Sequence, residues 1–359
     1  MKIEGLEVRK DDLSKTRIVQ RASPPLQDGD VSIEIERFGL TANNITYGVV
    51  GEAIGYWKFF PAEAGWGNIP VWGIGEVVAT EHPDVEQGER LYGYFPMASH
   101  LVIRPGRLNA ARIVDVSAHR ASLPAVYNSY ARLASEPDYD RSLDDERVVL
   151  FPLYATSYCL YDFLLDNHWF GASQVIVVSA SSKTAIGLAY ALHDDVKAPA
   201  SVGLTSAANA ASVKNLGLYD SVATYHRIPE IDASLASVIV DMSGSGSVLT
   251  ALHAHLGESM RYCSNVGVTH HESSRVRPDT MGGRSAMFFA PSHIKKRSDQ
   301  WGPGEFERRA LAFWRNAAVR SRDWITIERL EGAEALERAF HALRLGKVAP
   351  DRGIVASLR

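Results

Sequence analysis

The stretch VIVVSASSKTAIGLAYAL, residues 175–192, decides the fold. Val175 to Val178 is a continuous apolar run, as expected of a strand buried on both faces. Ser179 to Ser182 forms a turn of small residues, and Thr184 to His193 reads as a helix. The same alternation extends outward. Tyr154 to Leu165 fits a helix before it. After it come a strand at 201–204, a helix from Ala207 to Leu216 stopped by Gly217, and a strand at 238–240. Val248 to Leu256 is a further helix and Tyr262 to Val266 a further strand. Repeating β/α units of this kind predict a doubly wound parallel sheet with right-handed crossovers.

Upstream the pattern is different. Residues 31–36 alternate apolar and polar, the signature of a half-buried strand, and strands recur at 73–79, 91–94 and 101–103. Gly, Pro and aromatic residues crowd 48–75, which predicts irregular loops packed by rings. The charged stretch 131–147 reads as a connection between domains. Downstream, 304–319 reads as a helix, 324–327 as a strand, Ala333 to Arg344 as an amphipathic helix and 353–356 as a closing strand. The expectation is an α/β chain with a β-rich domain over 1–150 and a parallel-sheet domain over 151–309; a family resemblance given below implies that 310–359 completes the first.

Composition narrows the class. The chain has 359 residues, 46% of them hydrophobic, which suits about two folded domains. A net charge of −4 gives no general attraction to nucleic acid or anionic membrane. Two cysteines cannot build a disulfide framework or a multi-cysteine zinc site. The first residues lack the apolar core of a signal peptide, and the run 148–165 contains Pro152 and Asp162, a poor membrane span. A cytoplasmic location is the simplest expectation.

The turn at 179–184 carries the chemistry. A helix N-terminus offers unpaired amide N–H groups and a positive dipole end to phosphate. The dinucleotide fingerprint places small residues in a G-x-G-x-x-G/A spacing; here those positions are Ala180, Ser182 and Ala185. Lys183 adds a cation, and Ser181, Ser182 and Thr184 add hydroxyls. A β/α unit without ligand is the competing reading. No G-x-x-x-x-G-K precedes Thr184, which argues against a P-loop. The second strand ends at Thr205 and Ser206, where NAD-preferring sites carry Asp or Glu. Neutral hydroxyls there favour NADPH, with Asn209, Lys214 and Tyr225 as candidates for its adenosine end.

These residues and their surroundings resemble the medium-chain dehydrogenase/reductase superfamily. The matching strings are Gly75-Glu76-Val77-Val78, Gly88-Glu89-Arg90-Leu91-Tyr92-Gly93, Ala155-Thr156-Ser157-Tyr158 and Leu216-Gly217-Leu218-Tyr219-Asp220. LTANNITYG (40–48), YWKFFPA (56–62) and IPVWGIGEVV (69–78) are similar to an uncharacterised branch classed as a domain of unknown function. The resemblance implies a GroES-like catalytic domain, a Rossmann cofactor domain and a homodimer. It places Asn44 and Tyr47 in a loop facing the nicotinamide, Thr156 near its ribose or carboxamide, and Gly267 where backbone approaches the cofactor. Zinc members of the superfamily need a Cys and a Gly-His-Glu that this chain replaces with Thr41-Ala42-Asn43-Asn44 and Val71-Trp72-Gly73-Ile74, so no metal is expected.

The implied activity is zinc-independent, NADPH-dependent transfer of hydride to a quinone, enone or similar activated alkene or carbonyl. A catalytically idle NADPH-binding sensor or partner protein is the alternative. Tyr56, Trp57, Phe59, Phe60, Trp66 and Trp72 could line a pocket for a flat, apolar small molecule, or staple a long loop. The sequences around His253, His255, His270, His271 and Glu272 lack metal-ligand spacing, Lys295-Lys296-Arg297 reads as a solvated turn, and Cys159 as a small core residue.

Overall fold

The computed structural model describes residues 2–123, 125–266 and 283–359. The chain divides into two compact units, Met1–Val149 with Ile325–Arg359, and Leu150–Trp324.

The first unit is β-rich. Its main sheet runs in the order Thr326–Glu331, Arg352–Ser357, Val31–Leu40, Pro70–Thr80, Arg90–Pro96, Ser129–Arg132, Arg112–Asp115 and Pro105–Leu108, with His100–Ile103 also paired to Val31–Leu40. A smaller sheet joins Thr16–Ala22, Lys2–Arg9 and Trp66–Gly67. The inward residues Ile33, Phe38, Val71, Leu91 and Phe95 form one core with Leu336 and Phe340 of the helix Ala333–Arg344. That helix is apolar at 3.6-residue spacing, which is why one face is buried.

The expected linker at 131–147 is instead part of this unit. Its acids are fixed by arginines remote in sequence: Arg90 holds Glu36 and Asp144, and Arg37 and Arg329 both hold Asp145. Asp144, Asp145 and Glu146 begin the long helix Asp144–Asp166, where acids favour the positive end of the helix dipole. The expected start at Tyr154 is therefore ten residues late. Pro152 within this helix has no N–H to offer the Val148 carbonyl. Gly39 lies against that carbonyl, where a Cβ would come to 2.1 Å.

The expected return to the first domain at 310 falls at Ile325. The helix Glu305–Ser321 buries Phe306 and Ala310 against Cys159, within the second unit. The helical stretch Arg141–Asp166 is long and apolar enough to cross a membrane by length and composition alone, and more than half of its apolar stretch is buried.

The second unit holds six parallel strands. Their spatial order is Ser221–Thr224, Ala200–Thr205, Gln174–Val178, Ser237–Asp241, Met260–Asn265 and Ser285–Met287. Numbered along the chain this is 3-2-1-4-5-6, the dinucleotide-binding order. Val175 to Val178 are fully buried, as the apolar run required. The strand order reverses between Gln174–Val178 and Ser237–Asp241, so a crevice is expected outside the carboxyl ends of those two strands.

Candidate functional site

The first strand ends at Val178 and Ser179 turns with φ +60°, a left-handed backbone that costs a non-glycine residue about 1–2 kcal/mol. A side chain from the segment before the strand Ser221–Thr224 holds this turn. The Tyr219 hydroxyl lies 3.2 Å from the carbonyl oxygens of both Ala180 and Ala185. Burial raises the pKa of this phenol and of the Tyr225 phenol, so both remain donors. Gly203 makes room for the Tyr219 ring, whose Cδ2 would sit 2.9 Å from an added Cβ.

The helix Lys183–Asp194 follows. Ser182 is its N-cap, its Oγ accepting from the Ala185 amide at 3.3 Å. Lys183 is the first helical residue and Thr184 the second. Ser181 Oγ accepts from Asn209 Nδ2 at 3.0 Å and from Thr205 Oγ1 at 3.5 Å. The structure thus brings Ser181, Ser182, Lys183, Thr184, Thr205 and Tyr225 to one end of the sheet. Thr205 is buried and Ser206 half-buried, with no carboxylate at that strand end. Lys214 is exposed on the short helix Ala210–Asn215.

Two further residues of this region escaped sequence reasoning. Tyr219 is one. Asp241 is the other: it ends the fourth strand, buried, and accepts from Ser243 N and Oγ and from Gly244 N at 2.6–3.0 Å. Burial outweighs those bonds and raises its pKa above the usual carboxylate value. The string Asp241-Met242-Ser243-Gly244 was the available cue, an Asx turn at a strand end.

Thr156 lies on the helix Asp144–Asp166 and donates its hydroxyl to the Pro152 carbonyl at 3.0 Å, so toward a ligand it can only accept. Next to it, Ser157 donates to the Thr184 carbonyl at 2.7 Å. Gly187 permits this approach, since a Cβ there would meet Ser157 Oγ at 2.5 Å and Tyr154 Cδ1 at 2.6 Å. Gly267, His270, His271 and Glu272 lie outside the described residues.

In the first unit, the expected loop carrying Asn44 and Tyr47 is a helix, Ala42–Val49. Asn44 closes a capping box with Thr41: its Oδ1 accepts from the Thr41 amide at 2.7 Å, and its Nδ2 donates to the Pro70 carbonyl at 2.8 Å. Tyr47 packs against the buried aromatic cluster of Tyr56 and Tyr94, and burial pushes its pKa up. Its ring packs 4.6 Å from Tyr56 and 6.0 Å from Tyr94.

Of the six aromatic residues expected in one pocket, Tyr56, Phe59, Phe60 and Trp72 do gather around Tyr94 and Tyr127. Trp57 does not; it fills core space beside Gly51 and Gly67. Trp66 lies under the Arg17 guanidinium at 4.3 Å. A cavity of about 280 Å³ borders this cluster through Phe59, Phe60 and Leu101 and is lined on its other side by Ile3 and Val19. Among the described residues no three His, Cys, Asp or Glu side chains group to hold a metal ion. Lys295, Lys296 and Arg297 fall on the helix Ala290–Trp301. Lys295 and Lys296 are exposed, whereas Arg297 is buried on Asp162, correcting the solvated-turn expectation.

No curated protein sequence matches the chain. Solved structures do. The mycobacterial protein Rv1454c, complexed with NADPH, has a TM-score of 0.63 at 16% identity, over 99% of this chain and 100% of that one. CurA from Vibrio vulnificus in complex with NADPH has a TM-score of 0.63 at 12% identity, over 99% of each chain. The quinone oxidoreductase from Coxiella burnetii has a TM-score of 0.57 at 14% identity, over the whole of both chains. These likenesses show that the chain shares the fold of those proteins. With residues 38–349 matched to the family described as "Protein of unknown function (DUF2855)", the chain belongs to that family.

Proposed function

We propose that this protein is a zinc-independent, NADPH-dependent oxidoreductase that reduces a quinone, an enone or a similar activated alkene or carbonyl. The observation that carries the reading is the end of the parallel sheet. A 3-2-1-4-5-6 strand order presents a capped helix N-terminus after its first strand and neutral hydroxyls after its second. Two solved proteins of this fold hold NADPH.

The residues fit the dinucleotide. Lys183, Thr184 and the first-turn amides suit a diphosphate at a helix N-terminus. Thr205, Ser206 and Tyr225 offer hydroxyls, and no carboxylate stands there to repel a 2′-phosphate. When bound, NADPH supplies the hydride. Tyr47 is the proposed proton or hydrogen-bond donor to the acceptor oxygen, because burial keeps its phenol protonated. Tyr56, Trp72 and Tyr127 beside it favour a flat, apolar substrate.

A second reading, an idle NADPH-binding sensor or partner, is favoured by one observation: Asn44 spends its amide on its own helix cap and on Pro70. Steady-state oxidation of NADPH with a naphthoquinone and with a simple enone separates the two. Turnover is expected, and Tyr47→Phe should lower kcat roughly 10²-fold with NADPH affinity kept. NADPH that binds but is never consumed by any acceptor overturns the first reading in favour of the second.

A further inference from the structure

The cavity of about 280 Å³ in the β-rich unit is not used by the dinucleotide reading. Its size is at the small end of ligand pockets, which span about 300–1,000 Å³. Ile3, Val19, Phe60 and Leu101 give it apolar walls, while Tyr47, Trp72 and Tyr94 are not among the described residues that line it. Two buried polar side chains, Asn68 and Arg120, also line it.

Each of the two has a hydrogen-bonding group left over. Asn68 is 8% exposed, and its Nδ2 donates to the Phe60 carbonyl at 3.1 Å. A carbonyl only accepts, so this bond fixes which end of the amide faces Phe60 and leaves Oδ1 without a partner among the described residues. Arg120 is 1% exposed and fully protonated, with donors on all three nitrogens. Nε donates to the Phe59 carbonyl at 3.3 Å, and Nη1 donates to Asp115 Oδ2 at 2.7 Å and to the Tyr130 hydroxyl at 3.0 Å. Nη2 has no hydrogen-bond partner among the described residues. The Phe60 ring, with its centroid 4.8 Å from the guanidinium carbon, is a weak substitute. A buried donor on a charged group left unpaired costs about 1–3 kcal/mol or more. Asn68 and Arg120 are tied to adjacent carbonyls, so the spare acceptor and the spare donor belong to one cavity beside one dipeptide.

Charge around the cavity is already balanced. Arg17 and Arg21 hold Glu7 and Glu63, and Arg120 holds Asp115. Burial lowers the pKa of His100 and His119, so both border the cavity neutral at pH 7. An anion would enter with no counter-charge to spare. The one free nitrogen of Arg120 also cannot offer the two-nitrogen fork that a carboxylate takes. A carbonyl with an N–H beside it uses both leftover groups.

We propose that this cavity is a binding site for a small neutral carboxamide with an apolar body. The amide oxygen accepts from Arg120 Nη2, the amide N–H donates to Asn68 Oδ1, and the body lies against Val19, Phe60 and Leu101. The site lies within one unit and does not depend on the NADPH reading.

Benzamide is the probe, with benzoate and ethylbenzene as comparisons, each titrated into the full chain and followed by NMR of labelled Ile, Leu and Val methyl groups. Saturable shifts are expected at Ile3, Val19 and Leu101, and none at Ile176 or Val240 in the parallel sheet. Benzamide should bind roughly tenfold more tightly than either comparison, because ethylbenzene leaves both polar groups unpaired and benzoate brings an unpaired charge. Val19 stands on the edge strand Thr16–Ala22, and Val19→Trp, which fills the cavity, should abolish the shifts at Ile3 and Leu101. Asn68→Leu should weaken benzamide roughly tenfold and leave ethylbenzene unchanged. Thermal unfolding of each variant controls for folding, and the wild-type series decides alone where a variant does not fold. Ethylbenzene binding as tightly as benzamide overturns the polar recognition. Tighter benzoate overturns the neutral class. Benzamide shifts that are absent, that fall on the parallel sheet, or that persist in a folded Val19→Trp overturn the site.

Discussion

Replacing Gly187 by alanine tests how the helix Lys183–Asp194 is seated. An added Cβ would lie 2.5 Å from Ser157 Oγ and 2.6 Å from Tyr154 Cδ1. Neither neighbour yields easily: the Tyr154 hydroxyl is bonded to Ser321 at 2.7 Å, and Ser157 Oγ bonds the Thr184 carbonyl at 2.7 Å. Overpacking of this kind costs about 1–3 kcal/mol. Losing the Ser157–Thr184 bond adds about 1 kcal/mol, and the better helix propensity of alanine returns about the same. The net destabilisation is about 2 kcal/mol, which for a unit of this size lowers Tm by roughly 4–8 °C. Differential scanning calorimetry of Gly187→Ala measures it. Thr184 is in the first turn, so NADPH affinity should fall as well. Ser157→Gly in the Gly187→Ala background should recover part of the stability by clearing the Oγ clash. A Gly187→Ala protein as stable as wild type would refute the close approach.

Three other predictions follow from named contacts. His168, Trp169 and Phe170 all have φ near +50°, a left-handed turn in which His168 is exposed; His168→Gly should stabilise by about 0.5–1 kcal/mol in chemical denaturation, and a loss of stability would contradict the turn. Asp162 is buried, which alone would raise its pKa, but bonds from His293 and Arg297 hold it below the ordinary value. Its contribution is present above the unfolded Asp pKa of about 3.9 and is lost as pH falls through the lower folded value. Asp162→Asn should therefore cost about 3 kcal/mol in urea denaturation at pH 7 and far less under strong acid; a cost that grows with acid would contradict this sign. The raised Tyr47 pKa predicts a kcat profile with no alkaline limb from this phenol up to about pH 10, and a limb abolished by Tyr47→Phe would contradict it.

The β/α half was legible because each buried strand is a pure apolar run and each helix ends on a recognisable residue. Val175 to Val178 and the helix start at Lys183 lie within one residue of their expected places. The helix Ala42–Val49 was not legible. Asn43 and Asn44 are poor helix formers, and what secures the turn is a capping box with Asn in place of Glu or Gln, plus a bond to Pro70, 26 residues away. The stretch 131–147 misled for a similar reason. A run of charges reads as solvated, yet the partners of Asp144 and Asp145 are Arg37, Arg90 and Arg329, which only the fold brings near. At the candidate site the sequence marked Ser181 to Thr184 from local spacing. Tyr219 and Asp241 were missed, because their positions at the turn depend on sheet register. Four of the six expected aromatic residues gather: composition cannot tell Phe59, which joins the Tyr94 cluster, from Trp57, which fills the core.

The central claim is that the end of the second strand accepts a 2′-phosphate and the first helix accepts a diphosphate. Calorimetric titration of the purified chain with NADPH and, separately, with NADH tests it most directly. Tight NADPH binding with much weaker NADH binding is the predicted result. Binding of neither would mean that the turn from Ser179 to Ser182 holds no dinucleotide, and the oxidoreductase account would fall.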